Sequence, residues 1–117
     1  MIRARKHIKN RGVKVYEIWG PLFFGSVQAF NSKFDAKNDP DNVKTDFTES
    51  RVSDHSGIEA LEGVVNKSLV LNKTVTVTHL IPDCKPLLVK ANPKFEQVID
   101  TPIDDPRYYV VTNLMDQ

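Results

Sequence analysis

The pattern of apolar and polar residues predicts strands and helices that alternate along the chain. Residues 13–19 read VKVYEIW and stop at Gly20-Pro21, so a strand rich in β-branched and aromatic side chains ends at a chain breaker. Residues 43–48 and 74–80 have the same character and predict two more strands. Between the strands, apolar residues recur at the spacing of one helix face. The two sets are Phe23, Val27, Phe30 and Phe34, and then Ile58, Leu61, Val65 and Leu69.

The start of the chain predicts a hairpin that leads into the first long strand. Residues 7–9 can pair with that strand through a turn at residues 10–12. We therefore divide the sequence into residues 1–12, a basic N-terminal arm with a candidate first hairpin strand, and residues 13–117, a single domain.

The end of the chain predicts one more short helix and less regular elements. Asp83 can cap a helix that begins at Cys84, and residues 95–100 are typical of a short edge strand. Residues 108–111 fit either a strand or a helix, and both remain open. The order of strands and helices favours an α/β fold, since each strand–helix–strand unit implies a right-handed crossover between parallel strands.

Charge is distributed unevenly along the chain. The sequence has 16 Lys plus Arg and 15 Asp plus Glu, a formal charge of +1. The first 14 residues hold six bases and no acid, so the remaining 103 residues carry ten bases and 15 acids. A net charge this small argues against nucleic acid as a partner. A basic arm on an acidic body instead indicates two different neighbours.

Several kinds of protein are disfavoured by the residues present. No stretch of about 18 apolar residues predicts a membrane span. Cys84 is the one cysteine, and the three histidines are scattered, so we predict no disulfide and no metal site. Without a glycine-rich phosphate loop or a Ser/His/Asp motif, we expect no catalysis and no cofactor.

The segment between the second strand and the second helix is the strongest candidate site. Residues 49–56 form a rather long connection at the carboxyl end of a strand, where α/β sheets place their functional groups. Two interpretations remain open. Ser56 either caps the helix, with Glu59 completing a capping box, or is a site for phosphate or another anion. Asp54, His55 and Gly57 are the other candidate residues.

These residues resemble the signature of STAS domains, the family named after sulfate transporters and anti-sigma factor antagonists. The similarity is carried by Asp46-Phe47 and by the run VSDHSGIEAL at residues 52–61, and it extends over roughly residues 8–112. It implies a mixed, mostly parallel β-sheet flanked by helices. In anti-sigma factor antagonists the serine that matches Ser56 is phosphorylated by a partner kinase.

A second segment resembles one branch of that family, the cytosolic domains of bacterial SulP anion transporters. It reads GPLFFGS at residues 20–26, where the free-standing antagonists usually carry an acidic turn. Phe23 continues the predicted helix stripe and is expected in the core. Phe24 lies off the stripe and is expected on an interaction surface with Arg51 and Ser53. Residues 78–80, 83–84 and 105–108 are also similar to the transporter branch.

The resemblance implies a regulatory and interaction domain on the cytoplasmic side of the bacterial inner membrane, as part of a larger protein. Its implied partners are the transmembrane domain of the same transporter, a cytosolic regulatory protein or nucleotide, and a second copy in the full-length protein. The basic arm would lie near anionic lipid. The alternative is a free-standing anti-sigma factor antagonist switched by phosphorylation of Ser56.

Overall fold

Five strands form one sheet in the computed structural model, which describes residues 1–80 and 84–100. Their order in the sheet is their order in the sequence. The first pair is antiparallel and the other three pairs are parallel, so the prediction of a mixed, mostly parallel sheet is confirmed. The strands are β1 (Arg3–Ile8), β2 (Lys14–Leu22), β3 (Asn42–Val52), β4 (Thr74–Thr78) and β5 (Ile99–Asp100).

Four helices accompany the sheet in the described part of the chain. The longest, α2, follows β3 and buries Leu61 and Val65 against the sheet core, as its apolar spacing predicts. The core face of the sheet contributes Tyr16, Phe47 and Val77, all fully buried. The helices are α1 (Val27–Asn31), α2 (His55–Val70), α3 (Cys84–Ala91) and α4 (Phe95–Val98).

The predicted hairpin at the start of the chain is present. Residues of β1 pair in register with β2, from Arg3 opposite Trp19 to Ile8 opposite Lys14. A turn at Asn10–Gly12 joins the two strands. The basic arm is therefore part of the sheet and forms its outermost strand among the described residues.

The first predicted helix is shorter than its apolar spacing suggests, and one of its residues is not in the core. Phe23 has extended backbone (φ −151°, ψ −178°) and is 41% exposed, so the prediction that it packs in the core is wrong. A single 3-10 turn and the short helix α1 follow it. Phe30 is fully buried, and the ring of Phe34 lies 4.6 Å from that of Tyr16. The helical period does not apply to Phe23 because the chain is still extended there.

A buried polar cluster fixes the connection between α1 and β3. Asp39 is buried and accepts hydrogen bonds from Lys14 Nζ and Tyr16 Oη, each at 2.6 Å. Burial and the hydrogen bond to Asp39 raise the pKa of Tyr16. Lys73, the residue before β4, donates from Nζ to the carbonyl oxygens of Ala36, at 2.7 Å, and of Asp39.

The last described elements correct one further prediction. Residues 95–100 begin as the short helix α4 rather than as a strand, and only Ile99–Asp100 pair with β4. Phe95 and Val98 are buried because this helical turn packs them into the core, which a strand pattern would not require. The predicted helix α3 is present from Cys84. Asp83 and residues 108–111 lie outside the described residues.

Candidate functional site

The connection that enters α2 is much shorter than predicted. The expected loop at residues 49–56 does not form, because β3 continues to Val52. Pairing of Pro21 with Arg51 and of Leu22 with Val52 extends both strands beyond the bulge near Glu17. Only two residues therefore separate β3 from α2.

Asp54, and not Ser56, is the residue that caps α2. Asp54 has extended backbone, and its Oδ1 accepts the backbone N–H of Gly57 at 2.9 Å. Ser56 is already the second residue of the helix, so the predicted cap and its capping box with Glu59 are wrong. Aspartate and serine are both favoured caps, and the end of β3 decides between them.

The second carboxylate oxygen of Asp54 holds a different segment of the chain. Asp54 Oδ2 accepts the backbone N–H of Phe24 at 2.9 Å, which joins the loop after β2 to the start of α2. The hydrogen bonds from the Phe24 and Gly57 N–H groups lower the pKa of Asp54. Both bonds favour the ionised carboxylate, since they end on oxygens that must act as acceptors.

Gly57 allows the start of α2 to approach the end of β2 closely. A methyl group at this position would lie 2.5 Å from the carbonyl oxygen of Leu22 and 3.0 Å from Val52 Cγ1. The backbone N–H of Ser53 donates to the same Leu22 oxygen at 2.8 Å. The role of Gly57 is thus steric, and the prediction that it belongs to a phosphate site is not tested by this contact.

A serine that the sequence reasoning missed stabilises the loop that carries Phe24. Ser26 is buried, its hydroxyl donates to the carbonyl oxygen of Pro21 at 2.8 Å, and it accepts the Phe23 N–H at 3.1 Å. The sequence pattern that could have indicated this role is a serine just after a strand, where its hydroxyl can bond the backbone three residues earlier. Phe24 itself is 78% exposed, so an aromatic side chain projects from a loop whose backbone is fixed at several points.

A groove of about 750 Å³ lies beside this loop, between α1 and the first turns of α2. Phe24 and Val27 contribute apolar surface, while Gln28, Ser56 and Glu59 contribute polar groups. Ser56 is half-buried on the wall of the groove. The structure therefore brings Ser56 and Phe24, which are distant in sequence, to one surface.

The other predicted site residues lie near this groove but do not line it. Arg51 and Ser53 are exposed at the end of β3. The side chain of His55 is 79% exposed, with Nε2 3.7 Å from Glu59 Oε1. Among the described residues, no group of His, Cys, Asp or Glu side chains is placed to hold a metal ion.

Polar pairs also lie on the sheet face opposite the core. His79 Nδ1 lies 3.0 Å from Asp46 Oδ1, and His7 Nε2 lies 2.9 Å from Glu17 Oε2. In residues 1–80 and 84–100, no helix is long and apolar enough to cross a membrane.

The family model of the STAS domain matches residues 5–103. YbaR of Bacillus subtilis, a protein named as a sulfate transporter, is 34% identical over 66 residues, which are 56% of this chain and 14% of YbaR. This chain thus spans a small part of the length of that relative.

Two solved structures share the fold. The STAS domain of a SulP transporter from Vibrio cholerae is 21% identical, with a TM-score of 0.61 over 93% of this chain and 88% of its own. The STAS domain of an anti-sigma factor antagonist from Rhodobacter sphaeroides is 26% identical, with a TM-score of 0.60 over 65% of this chain and 84% of its own. The chain belongs to the STAS domain family and is related to both of its branches.

Proposed function

We propose that this chain is the cytosolic regulatory and interaction domain of a SulP-type anion transporter, with no catalysis of its own. The observation that carries the proposal is its 34% identity to a protein named as a sulfate transporter. Because the match occupies only 14% of that protein, the rest of such a protein has room for a membrane part. The transported anion would be chosen there.

The exposed aromatic loop supports a role in contact with another domain. The Phe24 backbone is held by Asp54, and the hydroxyl of Ser26 fixes the preceding turn. A side chain on a rigid loop loses little conformational entropy on binding, so it is a favourable anchor for an interface. Arg51 and Ser53 are exposed on the adjoining strand end and provide polar groups for the rim. The partner would be the transmembrane domain of the same protein.

We also propose that the domain lies on the cytoplasmic side of the bacterial inner membrane, with the basic arm near anionic lipid. A cytosolic regulatory protein or a nucleotide would bind the exposed surface, and the full-length protein would form homodimers. The STAS family consists of regulatory or interaction domains, which favours these roles over catalysis.

The alternative is a free-standing anti-sigma factor antagonist switched by phosphorylation of Ser56. The likeness to the Rhodobacter antagonist and the location of Ser56 on an open groove support it. A phosphate on Ser56 would lie near the N–H groups at the start of α2, where negative charge is favoured. It would also repel the carboxylate of Asp54 and weaken the tie to Phe24, so the modification would change the shape of the loop.

The reading frame around this sequence tests the main proposal. We expect several apolar segments of about 20 residues in the same frame upstream of Met1. A stop codon directly upstream would overturn the transporter role. In a full-length transporter, Phe24→Ala should lower anion uptake at unchanged protein levels. Leu87→Ala is the control, since Leu87 is an exposed apolar residue on α3. Equal uptake by the wild type and both variants would contradict a role for Phe24.

The alternative has its own measurement. Mass spectrometry of the protein isolated from its host, under varied anion supply and growth phase, should show phosphate on Ser56 if the switch operates. Absence of the modification under every condition would contradict it. The outcome is independent of the reading frame.

A further inference from the structure

We propose that the β1–β2 hairpin docks on the surface of an anionic bilayer, with Arg3, Arg5 and Trp19 in contact with lipid headgroups. This inference rests on the proposed attachment to a membrane transporter, which would hold the hairpin close to the membrane. It gives a role to the basic β1–β2 hairpin, which lies outside the groove beside Ser56.

The register of the hairpin brings these three side chains together. Arg3 lies opposite Trp19 and Arg5 lies opposite Glu17. Residues opposite each other in an antiparallel pair share a face of the sheet, as do residues two apart on one strand. Arg3, Arg5 and Trp19 thus occupy the face opposite the core, and with Ala4 they line a shallow cavity of about 310 Å³.

Most of the cations on the hairpin are available to a partner. Lys14 is engaged by the buried carboxylate of Asp39 at 2.6 Å, and Lys6 Nζ lies 5.4 Å from the centre of the Tyr16 ring. The other four cationic side chains belong to exposed residues. They are Arg3, Arg5, Lys9 and Arg11.

The acidic side chains on the same face offset only part of this charge. Glu17 lies 2.9 Å from His7 Nε2 and is the one carboxylate within β1 and β2. Glu49 is exposed and lies beside Trp19 in the sheet, with Arg51 two residues further along the same face. An anionic surface therefore meets more free cations than free carboxylates on this hairpin, and charge complementarity favours a bilayer that contains acidic lipid.

The tryptophan of the hairpin favours a bilayer over a soluble polyanion. Trp19 is 38% exposed on the same face as Arg3 and Arg5. Tryptophan is enriched at the interface between lipid headgroups and acyl chains because its ring is apolar and its N–H is polar. Basic residues on an edge strand also prevent unwanted pairing of strands, but that role does not require an exposed tryptophan opposite Arg3.

Vesicle binding by the 117-residue chain tests the proposal, and Trp19 provides the signal since it is the one tryptophan in the sequence. We expect sedimentation with vesicles of equal parts phosphatidylcholine and phosphatidylglycerol, but not with phosphatidylcholine alone. Binding should weaken as salt increases. The emission of Trp19 should shift to shorter wavelength on binding, because its ring leaves water.

Paired substitutions locate the contact. Each arginine removed should weaken partitioning about fivefold, so Arg3→Gln with Arg5→Gln should weaken it about 25-fold. Lys90→Gln with Lys94→Gln removes the same charge from exposed positions near α3 and α4 and should leave binding and the emission shift nearly unchanged. Thermal melts of both double variants would confirm that the fold is retained.

Four outcomes would overturn the proposal. They are no binding to the acidic vesicles, equal loss in the two double variants, binding without a shift in Trp19 emission, and an equal shift with inorganic phosphate alone. Aggregation of the arginine variant without vesicle binding by the wild type would assign the arginines to protection of the strand edge. None of these results changes the reading-frame test, so the two proposals can fail separately.

Discussion

Asp54 Oδ2 accepts the backbone N–H of Phe24 at 2.9 Å, across 30 residues of sequence. The other oxygen, Oδ1, accepts from Gly57 at the start of α2. One carboxylate thus caps a helix and fixes the loop that exposes an aromatic side chain. Both functions need an acceptor, so replacements of Asp54 can separate them.

Asp54→Asn should keep the cap and release the loop. The amide oxygen of asparagine can still accept from Gly57, but its NH₂ group cannot accept from Phe24. We expect faster hydrogen exchange at the Phe24 amide with little change at the start of α2. Asp54→Ala should lose both bonds and lower the melting temperature further. Protection of the Phe24 amide that is unchanged in Asp54→Asn would contradict this assignment.

Ser56→Ala is the matched control for the capping role. Ser56 lies inside the helix, where alanine is the better helix former, so the free energy of unfolding should change by less than about 0.5 kcal/mol. Chemical denaturation of Ser56→Ala and Asp54→Ala side by side measures the difference. A larger loss in Ser56→Ala than in Asp54→Ala would show that serine is the cap after all.

The stability of the domain should depend on Asp54 at low pH. Its pKa is lowered in the folded protein by the Phe24 and Gly57 N–H groups, so the ionised form stabilises the fold. This contribution is complete above the unfolded pKa of about 3.9 and is lost as the pH falls through the lower, folded pKa. Asp54→Asn should therefore show a shallower loss of stability below about pH 4 than the wild type. Parallel curves for the two proteins would rule out the linkage.

The contrast between Asp54 and Ser56 also shows how far sequence can predict this site. The pattern identifies the serine, the aspartate and the glycine, and it predicts the order of strands and helices correctly as far as α3. The identity of the cap depends on where β3 ends, and that is set by its pairing with Pro21 and Leu22, which are distant in sequence. Local pattern does not contain this long-range register.

The exposed Phe24 and the wrongly placed Phe23 have a similar explanation. Apolar spacing alone predicts that the helix begins at Phe23. The backbone of Phe23 is instead extended, because this residue directly follows β2. Phe24 was correctly expected on the surface because it lies off the helical stripe. The hydrogen bond from the Phe24 N–H to Asp54 could not be predicted from the sequence, since it depends on two loops that meet only in the folded sheet.

Two glycines on α2 give a matched test of close packing. Gly57→Ala places a methyl group 2.5 Å from the Leu22 carbonyl oxygen, so we expect a loss of about 1–3 kcal/mol in the free energy of unfolding. Gly63 lies on the same helix, where a methyl group would enter open space, so Gly63→Ala should stabilise the fold by about 0.4–1 kcal/mol. Urea denaturation of both variants should give opposite signs, and a stabilised Gly57→Ala would contradict the contact.

Thr45 provides a test of the buried polar groups in the sheet. Its side chain is fully buried on β3, between Tyr16 and Val77 on the neighbouring strands, and its hydroxyl has no hydrogen-bond partner among the described residues. An unsatisfied buried hydroxyl lowers stability, and valine has nearly the same shape without the polar group.

Thr45→Val should therefore raise the free energy of unfolding by about 1 kcal/mol. Thr76→Val is the control on β4, because Thr76 is half-buried and pairs with Lys44 on the opposite face of the sheet. That change should stay within about 0.5 kcal/mol. Equilibrium denaturation of the 117-residue chain measures both. Destabilisation by Thr45→Val would mean that the hydroxyl has a hydrogen-bond partner in the folded protein, since loss of such a bond would outweigh the gain from removing a buried polar group.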